Sequence, residues 1–355
     1  MENKKDKKSV IKKRILTILF VLLNIGVIVW TATSEYVNAS NGENKAGKIT
    51  QLEIKWWFLI FAVLCFLLVV FSEVLKYAYA MKRTCGYIDW KVARRVVLLG
   101  KYYDNITPSG IGGQPYQIYY LRKHDMTAGQ AATITVTGFM GMQVAFILLA
   151  LYVIAFGGSF VKVDAIRIMS YIGIVFYALF PIAIIFFTFF NNLSTKIMNG
   201  ILNFLYKIHI VKNKEKWVNK ITHSVADYVE CIRGNIADWK LWVVTMVCSL
   251  FYQLSLCSLP FFVIHAYGGD INFIECLFTT ISIYCAITFI PTPGNAGAAE
   301  VSFALVFATL TSGAIFWATL TWRFLCYYIF LLIGVIIYII RYVNKKKNIV
   351  PEESK

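Results

Sequence analysis

Long apolar runs separated by short polar segments dominate the chain. Seven windows of about 20 apolar residues, enough to cross about 30 Å of hydrocarbon, lie at 15–34, 56–79, 128–156, 168–190, 241–265, 273–291 and 315–340. A shorter eighth run covers 298–310. The first run is too long for a cleaved signal peptide and lacks the small-residue cleavage pattern, so it is predicted to be a retained span. The pattern predicts an all-α polytopic membrane protein with about eight transmembrane helices.

Composition agrees with a membrane protein, and the distribution of basic residues predicts on which side of the membrane the termini lie. Hydrophobic residues make up 58% of the chain, and its mean hydropathy is +0.63. Of the 35 Lys and Arg residues, seven, eight, eight and five fall in segments 1–14, 80–127, 191–240 and 341–355. Because basic residues collect in cytoplasmic loops, both termini are predicted to face the cytoplasm. The net charge of +16 follows from this bias, so no nucleic-acid partner is expected.

One membrane domain, residues 15–342, is predicted between basic cytoplasmic tails at 1–14 and 343–355. Its longest polar interruption, about 191–240, carries apolar positions at helical spacing. This spacing predicts an amphipathic cytoplasmic helix that lies either in the membrane interface or against the protein's own loops. The eight cysteines form no CxxC pair, and the four histidines form no cluster. No metal or other cofactor is therefore expected.

Two proline- and glycine-rich segments interrupt the apolar pattern. The first break is NITPSGIGGQP at 105–115, and the second break is FIPTPGNAGAAE at 289–300. Each has a Thr-Pro start, at Thr107 and Thr292, and a Gln or Glu shortly after it. Broken backbone at membrane depth is tolerated only where protein or a water-filled cavity satisfies it. The pair predicts two re-entrant segments that meet at a substrate cavity, with interhelical turns in polar loops as the alternative.

The chemistry that such breaks favour is anion binding. Helices are predicted to start at Pro115 and Ala298, where free amides and the positive end of the helix dipole would bind phosphate. Glycines within the breaks would let a lipid headgroup approach the backbone closely. These glycines are at positions 110, 112, 113, 294 and 297.

Charged residues inside apolar runs are costly and usually face a cavity or a partner. Glu73 and Lys76 are three residues apart and are predicted to pair on one helix face. Arg323 lies deep in the last run and is predicted to contact either a lipid phosphate or Glu300. Four further charged residues precede the first break and either line a cytoplasmic entrance or form a solvated face: Arg94, Arg95, Lys101 and Asp104.

Three segments carry a family resemblance: YYDNITPSGIGGQPYQIYYLRK, PTPGNAGAAE and TWRFLCYY. They resemble the signature segments of the lysylphosphatidylglycerol synthase transmembrane family, the flippase-like domain at the N-terminus of the multiple peptide resistance factor. The resemblance covers nearly the whole chain. It implies re-entrant helices and a function in translocating or handling modified phospholipids at a bacterial plasma membrane. Ten residues match motif positions and form the candidate substrate-binding set: Asn105, Pro108, Gly112, Gly113, Gln114, Pro293, Gly294, Gly297, Glu300 and Arg323.

Three functions are compatible with these features. The favoured one is translocation of an anionic or aminoacylated phospholipid such as lysyl-phosphatidylglycerol, with a role in resistance to cationic antimicrobial peptides. The second is a phosphatidylglycerol lysyltransferase, for which only Glu300, Asp104 and His124 offer a general base. The third is an accessory subunit of a separate lipid synthase. Because the chain stops at Lys355, without the soluble transferase domain of the bifunctional relatives, no enzyme is expected; a homo-oligomer stays open.

Overall fold

The computed structural model describes residues 53–108, 110–189, 200, 231–235, 237–288, 290, 292–307 and 312–347. The predicted span at 15–34, the N-terminal tail and most of the amphipathic segment lie outside this part. The described chain is helical, and its one β-type contact is an isolated bridge. The helices are α1 Trp56–Cys85, α2 Trp90–Ile106, α3 Gly113–Arg122, α4 Ala128–Phe156, α5 Asp164–Phe189, α6 Trp239–Ala266, α7 Phe273–Ile287, α8 Ala298–Val306, α9 Ser312–Arg323, a π-helix Phe324–Tyr328, and α10 Ile329–Lys347.

Five stretches of the described chain are long and apolar enough to cross a membrane. They are Trp56–Cys85, Ala128–Phe156, Asp164–Ile184, Trp239–Ala266 and Ala314–Ile340. Large apolar side chains lie exposed on their outer faces, among them Phe71, Phe176 and Ile336, as a lipid-facing surface requires. The chain is a helical membrane protein; the count of eight spans and the cytoplasmic position of both termini stay predictions.

Two predicted windows contain shorter helices than their length suggested. The window at 273–291 holds α7, whose 15 residues extend about 22 Å, less than the hydrocarbon thickness. The run at 298–310 holds α8, which has nine residues. Both helices adjoin the second break, whose proline and glycines end one helix and start the next. The described residues of this break, 288, 290 and 292–297, therefore lie between two short helices rather than between two full spans.

Helix α6 is the centre of the packing, because α1, α4, α7 and α9 all pack against it. Small residues allow the close approach. A Cβ at Gly141 of α4 would lie 2.1 Å from the Thr245 side chain of α6. A Cβ at Gly173 of α5 would lie 1.9 Å from the Cys285 carbonyl oxygen of α7. These glycines let the backbones meet directly, as is usual between helices in membranes.

The contact between α2 and α10 positions the functional site. Helix α2 leads into the first break, and α10 continues the helix that carries Arg323. A Cβ at Gly334 of α10 would lie 2.2 Å from the Tyr102 ring, so the two helices touch there. A buried apolar group closes this contact: Tyr102, Ile106, Tyr327 and Leu331. The packing therefore brings the first break beside the segment that follows the second.

Candidate functional site

The two breaks lie against each other, as their matched sequences predicted. Pro108 and Pro293 form an isolated antiparallel bridge although 185 positions separate them in the sequence. Pro108 is exposed and Pro293 is partly buried. The bridge joins the two halves of the chain at one point; its depth in the membrane stays a prediction.

The first break is held by two side chains from the end of α2 and just after it. The Thr107 hydroxyl accepts a hydrogen bond from the Gly112 amide at 2.9 Å and donates to the Tyr103 carbonyl at 2.8 Å. The Asp104 carboxylate accepts from the Gly113 amide at 2.8 Å. A Cβ at Gly113 would lie 2.3 Å from that carboxylate, so a side chain at this position would displace the Asp104 carboxylate from the amide. The amides of Gly112 and Gly113 are therefore occupied by the chain itself.

This capping also corrects the predicted start of the helix. Helix α3 begins at Gly113, not at Pro115, because Thr107 and Asp104 satisfy the amides of residues 112 and 113. Pro115 lies in the first turn, where a missing N–H is tolerated. The candidate residue Gln114 also lies in this turn and is partly buried.

In the second break a carboxylate also accepts a hydrogen bond from a glycine amide, but the acid follows the glycine instead of preceding it. Helix α8 begins at Ala298, as predicted, and the Glu300 carboxylate in its first turn accepts a hydrogen bond from the Gly297 amide at 2.6 Å. The Thr292 hydroxyl donates to the Ala296 carbonyl at 2.9 Å. A carboxylate therefore stands at the start of each helix, in the place where an external anion was expected.

Arg323 and Glu300 form a buried ion pair at the second break. Arg323 Nε donates to Glu300 Oε1, and the two residues are only 4% and 5% exposed. Both terminal nitrogens of the guanidinium lie 3.3 Å from the Gly294 carbonyl oxygen and donate to it. Of the two predicted contacts of Arg323, the structure contains the one with Glu300. A contact with a lipid phosphate stays a prediction.

Tyr327 connects the breaks, and sequence reasoning did not single it out. The Asn105 side-chain amide donates to the Tyr327 carbonyl at 3.2 Å, and the Tyr327 hydroxyl donates to the Asn105 carbonyl at 3.3 Å. A Cβ at Gly294 would lie 2.0 Å from the Tyr327 ring, which also lies 4.9 Å from the Arg323 guanidinium carbon. The available signal was its place in TWRFLCYY, four residues after Arg323.

The irregular helix geometry around Tyr327 explains how one residue reaches both breaks. Phe324–Tyr328 form a π-helix, which is often found at functional sites because its extra residue re-aims the side chains. Thus Asn105 of the first break, Gly294 of the second, and Arg323 come together around a single phenol ring.

The four charged residues before the first break separate into two groups. Arg94 and Arg95 are exposed and, together with Lys91 and Leu98, line a depression of about 320 Å³. Lys101 and Asp104 are partly buried, and Lys101 Nζ lies 4.9 Å from the centre of the Tyr252 ring. Burial raises the pKa of the Asp104 carboxyl to about 6, although Lys101 and the Gly113 amide favour its charged form.

Comparison with known proteins identifies the family of this chain. The family model described as the lysylphosphatidylglycerol synthase TM region matches residues 14–334. A UPF0104 membrane protein of Archaeoglobus fulgidus is 24% identical over an alignment of 310 residues that covers 81% of this chain and 90% of the relative. No solved structure matches the chain. The range matched by the family model contains both breaks and the Arg323–Glu300 pair. The chain therefore belongs to the family of lysylphosphatidylglycerol synthase transmembrane regions.

Proposed function

We propose that this protein moves a modified phospholipid, such as lysyl-phosphatidylglycerol, between the leaflets of a cell membrane. The observation that carries the proposal is the bridge between Pro108 and Pro293, which joins two non-helical segments of a chain with several apolar spans. Non-helical backbone inside a membrane protein is stable where it is enclosed by protein or lines a water-filled cavity. Broken segments that meet from the two halves of a chain are typical of transporter substrate sites.

The charges at the second break support a headgroup that carries both a phosphate and an amine. Arg323 and Glu300 present a cation and an anion side by side, and both are buried. A guanidinium binds phosphate oxygens in a bidentate manner, whereas a carboxylate binds an ammonium group. In the proposed cycle, the headgroup enters between the pair, and its phosphate takes the place of Glu300 on Arg323.

The amides at the starts of α3 and α8 are already hydrogen-bonded to the protein's own side chains, which limits where a phosphate could bind. Gly112, Gly113 and Gly297 give their amides to Thr107, Asp104 and Glu300. A phosphate at either helix start would have to displace a carboxylate of the same charge. At the helix starts a phosphate would gain only neutral amides for the displaced carboxylate, whereas at Arg323 it gains a guanidinium cation when it replaces Glu300. The phosphate contact is therefore assigned to Arg323, and the glycines are assigned to the shape of the site.

The physiological consequence that we propose follows from surface charge. Moving a cationic aminoacylated lipid to the outer leaflet of a plasma membrane makes its surface less negative. Cationic antimicrobial peptides would then bind that surface less strongly. A bacterial cell with this protein would be expected to resist such peptides better than one without it.

Reconstitution tests the proposal directly. Purified protein in liposomes that contain fluorescent or lysyl-phosphatidylglycerol should expose inner-leaflet lipid faster than protein-free liposomes do. Arg323→Lys should lose much of this activity while melting near the wild-type temperature, because an ammonium group cannot reproduce a planar bidentate contact. Arg167→Lys is the matched control, since Arg167 pairs with Asp164 at 2.5 Å on an exposed surface. Equal lipid exposure with and without protein would refute the proposal.

The family description, which names a synthase, supports two alternatives that the same material separates. A transferase would form lysyl-phosphatidylglycerol from lysyl-tRNA and phosphatidylglycerol; we expect the purified chain to form none. His124, one base offered for that chemistry, has its Nδ1 within 2.9 Å of the Tyr120 carbonyl oxygen. An accessory subunit would expose lipid only after a synthase is added to the liposomes. Product formation by the chain alone would favour the enzyme.

A further inference from the structure

An exposed patch of positive charge lies on the first half of α2, away from the two breaks. Lys91, Arg94 and Arg95 are exposed, and together with partly buried Leu98 they line a depression of about 320 Å³. The last three residues follow Lys91 by three, four and seven positions, which places all four on one helix face. The volume is at the low end of the range for small-molecule sites. We name the hollow formed by these four residues the basic depression.

The carboxylates of the described helices around the basic depression all have other partners. Helices α1, α3 and α10 pack against α2, and the acidic residues of these four helices are Glu73 and Asp104. Glu73 pairs with Lys76 at 2.7 Å, and Asp104 accepts the Gly113 amide at 2.8 Å. Asp89, just before α2, caps that helix through two backbone amides. Within the described residues, none of the three cations forms an ion pair, so their charges are available to an external anion.

The basic depression lies beside the end of the α1 span. A short turn connects α1 to α2, and Val92 and Ala93 share a buried apolar cluster with Met81, near the end of α1. The last turn of α1 carries the exposed cations Lys82 and Arg83 after its long apolar run. Cations that follow an apolar span usually lie among lipid headgroups. The basic depression is therefore expected at the level of the headgroups.

Exposed aromatic residues flank the basic depression on the turn between α1 and α2. Tyr87, Ile88 and Trp90 are all exposed large hydrophobic residues. Tyrosine and tryptophan are enriched where a membrane meets water, because their rings are apolar and carry one polar group. This turn is therefore expected to lie in the membrane interface, which places lipid next to the basic depression.

We propose that the basic depression binds the phosphate of an anionic phospholipid, such as phosphatidylglycerol, from the leaflet next to the turn between α1 and α2. Arg94 and Arg95 would bind the phosphate oxygens, because guanidinium groups form bidentate hydrogen bonds with phosphate. The Nε of Arg94 already donates to the Trp90 carbonyl at 3.3 Å, so the phosphate would bind its terminal nitrogens. Lys91 would add a third charge, and Leu98 would contact the glycerol and the first acyl carbons. These apolar contacts favour a lipid over a soluble phosphate or an acidic peptide.

The charges of the basic depression differ from those at the second break. There, Arg323 stands beside Glu300, so a headgroup with both a phosphate and an amine finds a partner for each charge. The basic depression is lined by three cations and no acid, so the amines of an aminoacylated headgroup would be repelled. The basic depression is therefore expected to select unmodified anionic lipid, and this binding does not depend on the proposed function.

Lipid bound at the basic depression would act on α2, which leads into the first break. Asn105 of the first break follows Arg94 on this helix, about 16 Å farther along its axis. A lipid that holds the outer half of α2 at the headgroups also limits the movement of the half that carries Asp104 and Asn105. Because a ligand that binds only the folded state raises its stability, anionic lipid should make the chain harder to unfold.

Native mass spectrometry of the full chain in a neutral detergent tests affinity and selectivity. Phosphatidylglycerol should bind the wild type at least about tenfold more tightly than lysyl-phosphatidylglycerol or phosphatidylcholine does. Arg94→Gln with Arg95→Gln should weaken phosphatidylglycerol binding by at least about tenfold. The matched control is Arg122→Gln with Lys123→Gln, which removes two exposed charges at the end of α3 and should change the affinity by less than about twofold. Equal affinities for the three lipids, or equal weakening by both pairs of substitutions, would refute the inference.

Photolabelling of the wild type locates the site without any substitution. Phosphatidylglycerol with a diazirine in its glycerol headgroup, in phosphatidylcholine liposomes, should label residues 91–98, and excess phosphatidylglycerol should suppress the label. Labelling that is absent from residues 91–98 would refute the site. Suppression by inorganic phosphate or by an acidic peptide as strong as that by phosphatidylglycerol would overturn the choice of a lipid.

Thermal unfolding in detergent tests the effect of the lipid on stability. Saturating phosphatidylglycerol should raise the melting temperature of the wild type and of the Arg122 and Lys123 control by at least about 3 °C. The Arg94 and Arg95 variant should melt at one temperature with and without this lipid. Its melting temperature without lipid should match that of the wild type, because both substituted side chains are exposed. An equal rise in all three proteins would refute the inference.

Discussion

The two breaks use the same chemistry but obtain it from different parts of the chain. In each, a threonine hydroxyl closes the loop and a carboxylate accepts the amide of a glycine at the start of a helix. At the first break the acid is Asp104, which precedes the loop and interacts with Lys101 on the same helix. At the second break the acid is Glu300, which follows the loop and pairs with Arg323, 23 positions later.

This difference separates a break that is held locally from one that is held by tertiary contacts. Asp104 and Lys101 are partly buried neighbours on one helix, so their arrangement can change without any helix moving. Glu300 and Arg323 are almost completely buried, and Gly294 and Tyr327 enclose them. We therefore expect the first break to adjust by local changes, whereas the second break changes only when a ligand replaces one partner of the Arg323–Glu300 ion pair.

The largest expected effect comes from removing one partner of the buried pair. Arg323→Ala should lower the free energy of unfolding by about 3–5 kcal/mol, because it leaves the Glu300 carboxylate buried without its cation. Adding Glu300→Ala should recover most of this loss. Melting temperatures in detergent provide the measurement. Lys101→Ala, the counterpart at the first break, should cost far less, and an equal cost would remove the distinction between the breaks.

The second largest loss of stability is expected where Tyr327 packs closely against Gly294 in the second break. Gly294 and Gly297 both have positive φ, +58° and +85°, but only at Gly294 would a Cβ collide with Tyr327, at 2.0 Å. Gly294→Ala should therefore cost about 1–3 kcal/mol more than Gly297→Ala. Thermal unfolding of the two variants compares backbone strain alone at Gly297, where φ is +85° and ψ is −56°, with backbone strain plus a collision with the Tyr327 ring at Gly294. Equal melting temperatures would mean that the Tyr327 ring moves aside.

Substitution of the threonine in each break should give a smaller loss of stability and allows the two breaks to be compared. Thr107→Val should destabilise the protein by about 1–2 kcal/mol, because the partly buried Gly112 amide loses its acceptor. Thr292→Val removes only a donor to the Ala296 carbonyl and should cost less. Denaturation of both variants in the same detergent measures the difference. A larger loss of stability for Thr292→Val than for Thr107→Val would mean that the second break, not the first, depends more on its threonine.

The smallest effect is a pH dependence at the first break. Because burial raises the pKa of Asp104 to about 6, its contribution to stability is present in acid and is lost as the pH rises through that value. The melting temperature of the wild type relative to Asp104→Asn should therefore fall between about pH 4 and about pH 7. Asparagine keeps an oxygen that can accept the Gly113 amide. A difference that does not vary with pH would contradict the raised pKa.

Several features of the fold and of the site were predictable from local pattern. Apolar runs of spanning length define α1, α4, α5 and α6, because burial in lipid requires about 20 apolar residues and little else. The matched Thr-Pro and glycine spacings identified the two breaks and predicted that they meet. The helix start at Ala298 was also predictable, since the residues that terminate and begin a helix are local.

The side chains that accept hydrogen bonds from the amides at the helix starts were not predictable from residue spacing alone. Glycine and proline in the first break indicated free amides, yet Asp104 reaches forward nine residues to Gly113. Tyr327 was not found either, because nothing near it in the sequence indicates a partner 222 positions away. Its position between the breaks arises from the π-helix and from the packing of α2 on α10.

The sequence by itself determined that this chain is a helical membrane protein, where its apolar runs are interrupted and which charged residues lie within them. Hydropathy, helix breaking and the cost of buried charge act over a few residues, so they can be followed along the chain. Only the tertiary structure decided that Arg323 meets Glu300 and that Tyr327 joins the two breaks. These contacts depend on helix positions set by the packing of the whole bundle, which no local pattern encodes.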